Sequence, residues 1–201
     1  MEKKMDDMEL DVLTEIGTIG AGNATTSLSV LLDSKLSMKM PKVSFMSFDD
    51  FVESIGGAEN IIAGVMSNIT GGINGFVLFA LDLRDARRLA NRLCGIELHE
   101  MNAFNAIDLS AIQEIGNILI SSYLSSIETL TGINIRPSNP VLAIDMAGAI
   151  LSFPAVVNSR EHDEVLQIES EFEGEDLSID GHIMMIADTE SYKIIRKRLG
   201  I

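Results

Sequence analysis

The stretch Ser110-Ala-Ile-Gln-Glu114-Ile-Gly-Asn117 carries a carboxylate and a carboxamide three positions apart. In an α-helix, residues three and four apart share a face, so Ser110, Glu114, Asn117 and Ser121 form one polar line. Ile112, Ile115 and Leu119 fall on another face, with the period of a core stripe. An ionised carboxylate accepts hydrogen bonds from a lysine ammonium, and an amide donates and accepts without titrating. The pair could therefore grip a cation and orient a water for attack on phosphorus, where catalysis is mainly positioning and electrostatics. An isolated E-x-x-N is more often the solvated face of a helix. Here it has an echo 99 positions earlier, Asp11-Val-Leu-Thr-Glu15-Ile-Gly-Thr18, which keeps the carboxylate and loses the amide. The repetition adds weight to a site without naming a reaction.

The elements that must position these residues follow from periodicity. Residues 8–32 read as a long helix with Leu10, Leu13, Ile16 and Gly20 on one side and Asp6 or Asp7 at its start. Gly17, Gly20 and Gly22 weaken that helix, and close approach of another backbone is the expected compensation. No lysine or P-loop spacing accompanies these glycines, so a phosphate loop is rejected. Strands are expected over 39–48, 60–69 and 73–81, the last two joined through Thr70-Gly71-Gly72. A helix from 82 to 93 should end at Gly95, and 96–107 should connect to a second long helix, 108–130, capped by Asp108 and ended by Thr131-Gly132. Beyond it, strands are expected at 141–144, 165–172 and 183–187. Helices are expected at 145–152 and 189–199, with a turn at Asp180-Gly181.

The chain aligns with itself. Glu15 to Pro41 and Glu114 to Pro140 both span 26 positions, and Gly75–Asp82 lines up with Gly181–Asp188 at an offset of 106. The offset grows from 99 to 106, which places a net seven-residue insertion in an interval containing the acidic run 161–176. The expected architecture is α+β: one domain over residues 1–201, a pseudo-two-fold duplication of about 8–95 and 107–201. Two long helices would pack with antiparallel strands.

Composition narrows the function classes. The formal charge is −15, from 15 basic and 30 acidic residues, which disfavours nucleic acid. The Lys193, Arg196, Lys197 and Arg198 cluster reads as favourable charge at a helix C-terminus. The longest apolar run, Phe76 to Leu81, is far short of a membrane span. The N-terminus lacks the pattern of a signal peptide and Cys94 is the lone cysteine, so a cytoplasmic protein is expected. His99, His162 and His182 have no metal-ligand spacing, so no metal site is expected. Asn23-Ala-Thr25 and Asn68-Ile-Thr70 match glycosylation acceptors by chance.

At the two Glu motifs and their trailing prolines, the sequence resembles the CheC family of chemotaxis phosphatases. The family pattern is Asp or Ser, three residues, Glu, two residues, Asn, then Pro after 22 more. Ser110, Glu114, Asn117 and Pro140 match it fully, whereas Asp11, Glu15 and Pro41 match with Thr18 in place of Asn. Similarity also covers residues 19–24, 144–146 and the Met-Met-Ile strand. The resemblance implies hydrolysis of the aspartyl-phosphate on the response regulator CheY. Glu114 would hold the regulator's lysine and Asn117 would orient the attacking water, while Ser110 and Pro140, like Asp11 and Pro41, would support the motifs. The Mg²⁺ would sit on the regulator, with no cofactor on this chain. The Glu15/Thr18 site is expected to be degenerate, binding at most. The resemblance also implies CheD as a partner, with Asp145 within the contact region 141–150. The alternative is a non-catalytic module engaging CheD or the flagellar switch proteins.

Overall fold

The structure, a computed structural model, describes residues 7–95, 103–158, 164–174 and 177–200. The connector expected at 96–107 lies mostly outside the described residues, as do His99, His162 and part of the acidic run 161–176. The order of elements is α1 (Asp7–Leu31), β1 (Leu36–Met38), β2 (Lys42–Ser47), α2 (Phe48–Ser54), β3 (Ile61–Gly71), β4 (Gly75–Asp82) and α3 (Leu83–Cys94). It continues as α4 (Ala106–Thr131), β5 (Ile135–Pro137), β6 (Val141–Met146), α5 (Ala147–Asn158), β7 (Glu164–Gly174), β8 (Leu177–Ala187) and α6 (Thr189–Leu199). The same succession, α-β-β-α-β-β-α, thus occurs twice.

All strands pair antiparallel in one sheet, ordered β1-β7-β8-β4-β3-β5, with β2 also on β7 and β6 also on β3. The short strands of the first half therefore lie on the long strand β7 of the second, and those of the second half lie on β3 of the first. This exchange interlocks the halves around the central β4–β8 pair, so each completes the other's sheet. Strand periodicity then sorts side chains into two layers. In β4, Val77, Phe79 and Leu81 join the core under α1 and α4, while Leu78 and Ala80 join a smaller core under α2 and α5 with Phe51, Ile55 and Leu151. The architecture is the α+β, helix-paired, antiparallel one expected.

The two long helices run antiparallel. Leu13 and Ile16 of α1 line a small cavity with Ile127 near the end of α4. Thr26 and Ser27 further along α1 line a groove with Asn117, in the first half of α4. Gly17 and Gly20 of α1 make room for side chains rather than for another backbone. A Cβ on Gly20 would lie 2.4 Å from the ring of Tyr123, which is buried and held through its hydroxyl, 2.6 Å from Ser170 Oγ on β7.

Several local expectations are corrected. The strand expected at 39–48 begins only at Lys42, after Pro41, which has no N–H to continue a ladder, and the separate short strand β1 precedes it. Its last residue, Phe48, opens α2, capped by Ser47, whose Oγ accepts from Asp50 N–H at 3.0 Å. Asp180 and Gly181 are not a turn but lie inside β8. Glycine is needed there because a Cβ would meet the Phe79 ring at 2.7 Å. Residues 145 and 146 end β6 instead of starting α5.

Candidate functional site

The polar line of α4 faces outward because the opposite side is locked into the core. Ile112, Ile115 and Leu119 are fully buried, and a Cβ on Gly116 would lie 2.6 Å from Val65 in β3. The helix is thus seated closely on the sheet. Glu114, Ser110 and Ser121 are exposed and Asn117 is half-buried. The N-terminus of α4 is fixed to α3. Asn105, not Asp108, is the cap: its Oδ1 accepts from the N–H groups of Ile107 and Asp108 at 2.8 and 3.0 Å. Asp108 completes a capping box by accepting from Asn105 N–H at 2.9 Å. The same buried carboxylate accepts from Arg87 Nη1 at 2.7 Å, and the Arg87 guanidinium lies 3.7 Å over the Phe104 ring. A paired, hydrogen-bonded charge of this kind fixes a helix start in position, since losing either partner leaves the other buried alone.

Glu114 and Asn117 stand between two concavities. One, of about 470 Å³, is bounded by Leu93, Cys94, Ile107, Ala111 and Glu114 and is mostly apolar. The other is a groove of about 540 Å³ between α1 and α4, where Asn117 and Ser121 face Asn23, Thr26 and Ser27. Among the described residues, neither the Glu114 carboxylate nor the Asn117 carboxamide has a hydrogen-bond partner. Ser110 donates to the Ala106 carbonyl at 2.9 Å, within its own helix. Pro140 lies at the foot of the motif, its carbonyl accepting from Gln113 Nε2 at 2.9 Å.

The first motif has a different surface. Asp11, Glu15 and Thr18 are exposed on α1, and Pro41 is buried beneath them, its ring 3.0 Å from where a Gly17 Cβ would sit. The Thr18 hydroxyl donates to the Thr14 carbonyl at 2.8 Å, so its one donor is spent on its own helix. Because α1 and α4 are antiparallel, the two motifs stand toward opposite ends of the helix pair and do not converge. Asp145 is exposed on β6, its Oδ1 accepting from Met146 N–H at 2.7 Å, outside both concavities.

Electrostatically the helix pair is one-sided: α1 and α4 contain acidic residues and no lysine or arginine. Asp108 is paired, and Glu128 accepts from Ile135 N–H at 2.6 Å. Glu15 and Glu114 project from the exposed face, which suits a cationic group on a binding partner.

Asn23, Thr26, Ser27 and Ile107 were not legible as site residues. Asn23 reads as a chance glycosylation acceptor until the helix pairing places it opposite α4. The duplication alone fixes only the offset of 99; the closeness of Gly20 to Tyr123 is what places the crossing near residues 22 and 121. Cys94 is half-buried and free. His182 is partly buried, its Nδ1 3.2 Å from Gln167 Nε2, and burial holds its pKa below the usual histidine range. Among the described residues, no group of three or more His, Cys, Asp or Glu side chains could hold a metal ion, and no helix is long and apolar enough to cross a membrane.

The chain is similar over most of its length to known proteins. The chain is 27% identical over 197 residues to CheY-P phosphatase CheC of Bacillus subtilis, covering 96% of this chain and 94% of that one. It is 29% identical over 137 residues to the flagellar motor switch phosphatase FliY of the same organism, covering 68% of this chain and 35% of FliY. The crystal structure of Thermotoga maritima FliY shares the fold, with a TM-score of 0.78 at 24% identity and 98% coverage of both chains. The profile of the CheC-like family matches residues 8–44 and 107–144, each beginning with one of the long helices and continuing through the short strands after it. The chain thus resembles the CheC-like family in both of its long-helix segments and is similar over nearly its whole length to a CheC protein.

Proposed function

We propose that the chain is a phosphatase of phosphorylated CheY, acting through Glu114 and Asn117. The regulator supplies the phospho-aspartate and Mg²⁺. Glu114 accepts hydrogen bonds from a lysine ammonium of the regulator and fixes its orientation on α4. Asn117, one turn further on, inserts its carboxamide beside the phosphoryl group. Its Oδ1 accepts from a water and aims the water lone pair at phosphorus, in line with the aspartyl oxygen. The P–O bond to that oxygen breaks, leaving a free aspartate carboxylate and inorganic phosphate, and the water proton passes to solvent or phosphate. An amide cannot take that proton, so its contribution is positioning.

The observation that carries this reading is the outward-facing Glu114–Asn117 pair, without hydrogen-bond partners among the described residues, on a helix held at its start and along its buried face. Decay of phosphorylated CheY tests it. Wild type is expected to accelerate decay, and Asn117→Ala to lose about a hundredfold of that acceleration while still binding CheY. Glu114→Ala should weaken binding about tenfold, as loss of one charged contact does. Glu15→Ala should change the rate less than about twofold. Absence of acceleration by wild type overturns the reading.

The likeness to FliY favours a second reading, a binding module of the flagellar switch. Turnover by wild type that Asn117→Ala removes would exclude a purely non-catalytic module. Contact with CheD through Asp145 is a further proposal, supported by the exposure of that carboxylate on an edge strand.

A further inference from the structure

We propose that Asn23, on α1, is a second carboxamide of the Asn117 site, which holds the phosphorylated regulator in the groove while Asn117 orients its water. This inference rests on the phosphatase reading. Asn23 and Asn117 line the same groove from opposite helices. Both lack hydrogen-bond partners among the described residues. Of the other α1 residues lining the groove, Thr26 Oγ1 donates to the Gly22 carbonyl at 2.9 Å and Ser27 carries only a short hydroxyl. Asn23 is thus the one α1 side chain in the groove with both a long reach and an unused donor–acceptor pair.

Its surroundings are built to expose it. Asn23 is itself exposed, and a Cβ on Gly22, the preceding residue, would touch nothing within 4 Å. Gly20, just before, lets α1 close on Tyr123, bringing Asn23 within one groove of Asn117. The duplication makes the assignment specific. At the offset of 99 the counterpart of Asn23 is Ser122, which is buried. The Glu15/Thr18 end therefore lacks both carboxamides. The two ends differ at two positions, one on each helix, rather than at Thr18 alone.

Initial rates of dephosphorylation over a range of phosphorylated CheY concentrations test this. Asn23→Ala should raise KM about fivefold or more with kcat within about twofold, because it removes binding made before and during the reaction alike. Asn117→Ala should instead lower kcat. Asn23→Gln, which keeps the carboxamide, should recover part of the loss. Thermal unfolding of Asn23→Ala should match wild type, because the side chain is exposed. An unchanged KM in Asn23→Ala, with wild type active, overturns the inference and leaves the phosphatase reading intact. Inactive wild type overturns both. A fall in kcat equal to that of Asn117→Ala also overturns it, because Asn23 would then act on the water.

Discussion

The two ends of the helix pair share a backbone plan and differ in chemistry. At each, a carboxylate is exposed on a helix whose apolar stripe is fully buried: Ile112 and Ile115 behind Glu114, Leu13 and Ile16 behind Glu15. At each, a glycine follows within two residues and closes against a β-branched side chain, Val65 for Gly116 and Val43 for Gly17. The first difference is the residue one turn on. Asn117 offers an unused donor and acceptor, whereas Thr18 returns its hydroxyl proton to Thr14. Core packing thus retains the scaffold of both sites, because the buried stripes serve stability. The exposed positions are free to diverge, since surface substitutions cost little.

The sharpest way to break this comparison is to give α4 the residue that α1 carries. Asn117→Thr should lose about as much turnover as Asn117→Ala, roughly a hundredfold, because a helical threonine bonds its own backbone instead of a water. Retained turnover in Asn117→Thr would mean that a threonine at this position does not by itself disable a site.

A smaller effect separates two glycines on one helix. Gly20→Ala should lower stability by about 1–3 kcal/mol, because its methyl enters the space of the buried Tyr123 ring. It should also widen the groove and slow turnover. Gly22→Ala meets no atom and should raise stability by about 0.5–1 kcal/mol through helix propensity. Chemical denaturation of both variants checks the pair. Equal effects would show that the helices are not held at Tyr123.

The smallest expected effect compares the halves across the sheet. His182 occupies the position that aligns with Phe76, which does not titrate. Burial lowers its pKa against the opposing influence of Glu169 and Asp180, while Lys42 lowers it further. Below the ordinary histidine value of about 6.5 the unfolded chain therefore takes up a proton that the folded chain resists, and stability falls with pH. The loss stops once pH passes the lowered folded value. His182→Gln should flatten this part of the pH–stability curve, as measured by denaturation at pH 7 and pH 5. An unchanged slope would mean that the folded histidine protonates freely.

Local sequence determined the facing of the second long helix. The 3.6-residue period of Ile112, Ile115 and Leu119 set which side of α4 is buried, and therefore that Glu114 and Asn117 look outward, whatever the helix packs upon. Internal alignment likewise disclosed the duplication, because Asp82 and Asp188 cap their helices identically, accepting from Asp85 N–H and Ser191 N–H at 2.7 Å. Where periodicity was too short or was mimicked, it misled. The three-residue strands β1 and β5 carry no readable alternation, and Gly181 resembles a turn residue although packing against Phe79 is what requires it. Asp108 resembles a cap, yet the cap is Asn105, because either residue type can occupy that position.

Only the tertiary structure decided which residues meet across elements. The exchange of β1 and β2 onto β7, and of β5 and β6 onto β3, joins segments more than a hundred or about seventy residues apart. No local preference encodes such pairing. The same holds for the groove. Helical period places Asn23 on an exposed face, but its place across from Asn117 depends on the antiparallel packing of α1 on α4, fixed by the close contact of Gly20 with Tyr123 and by the shared core beneath both helices.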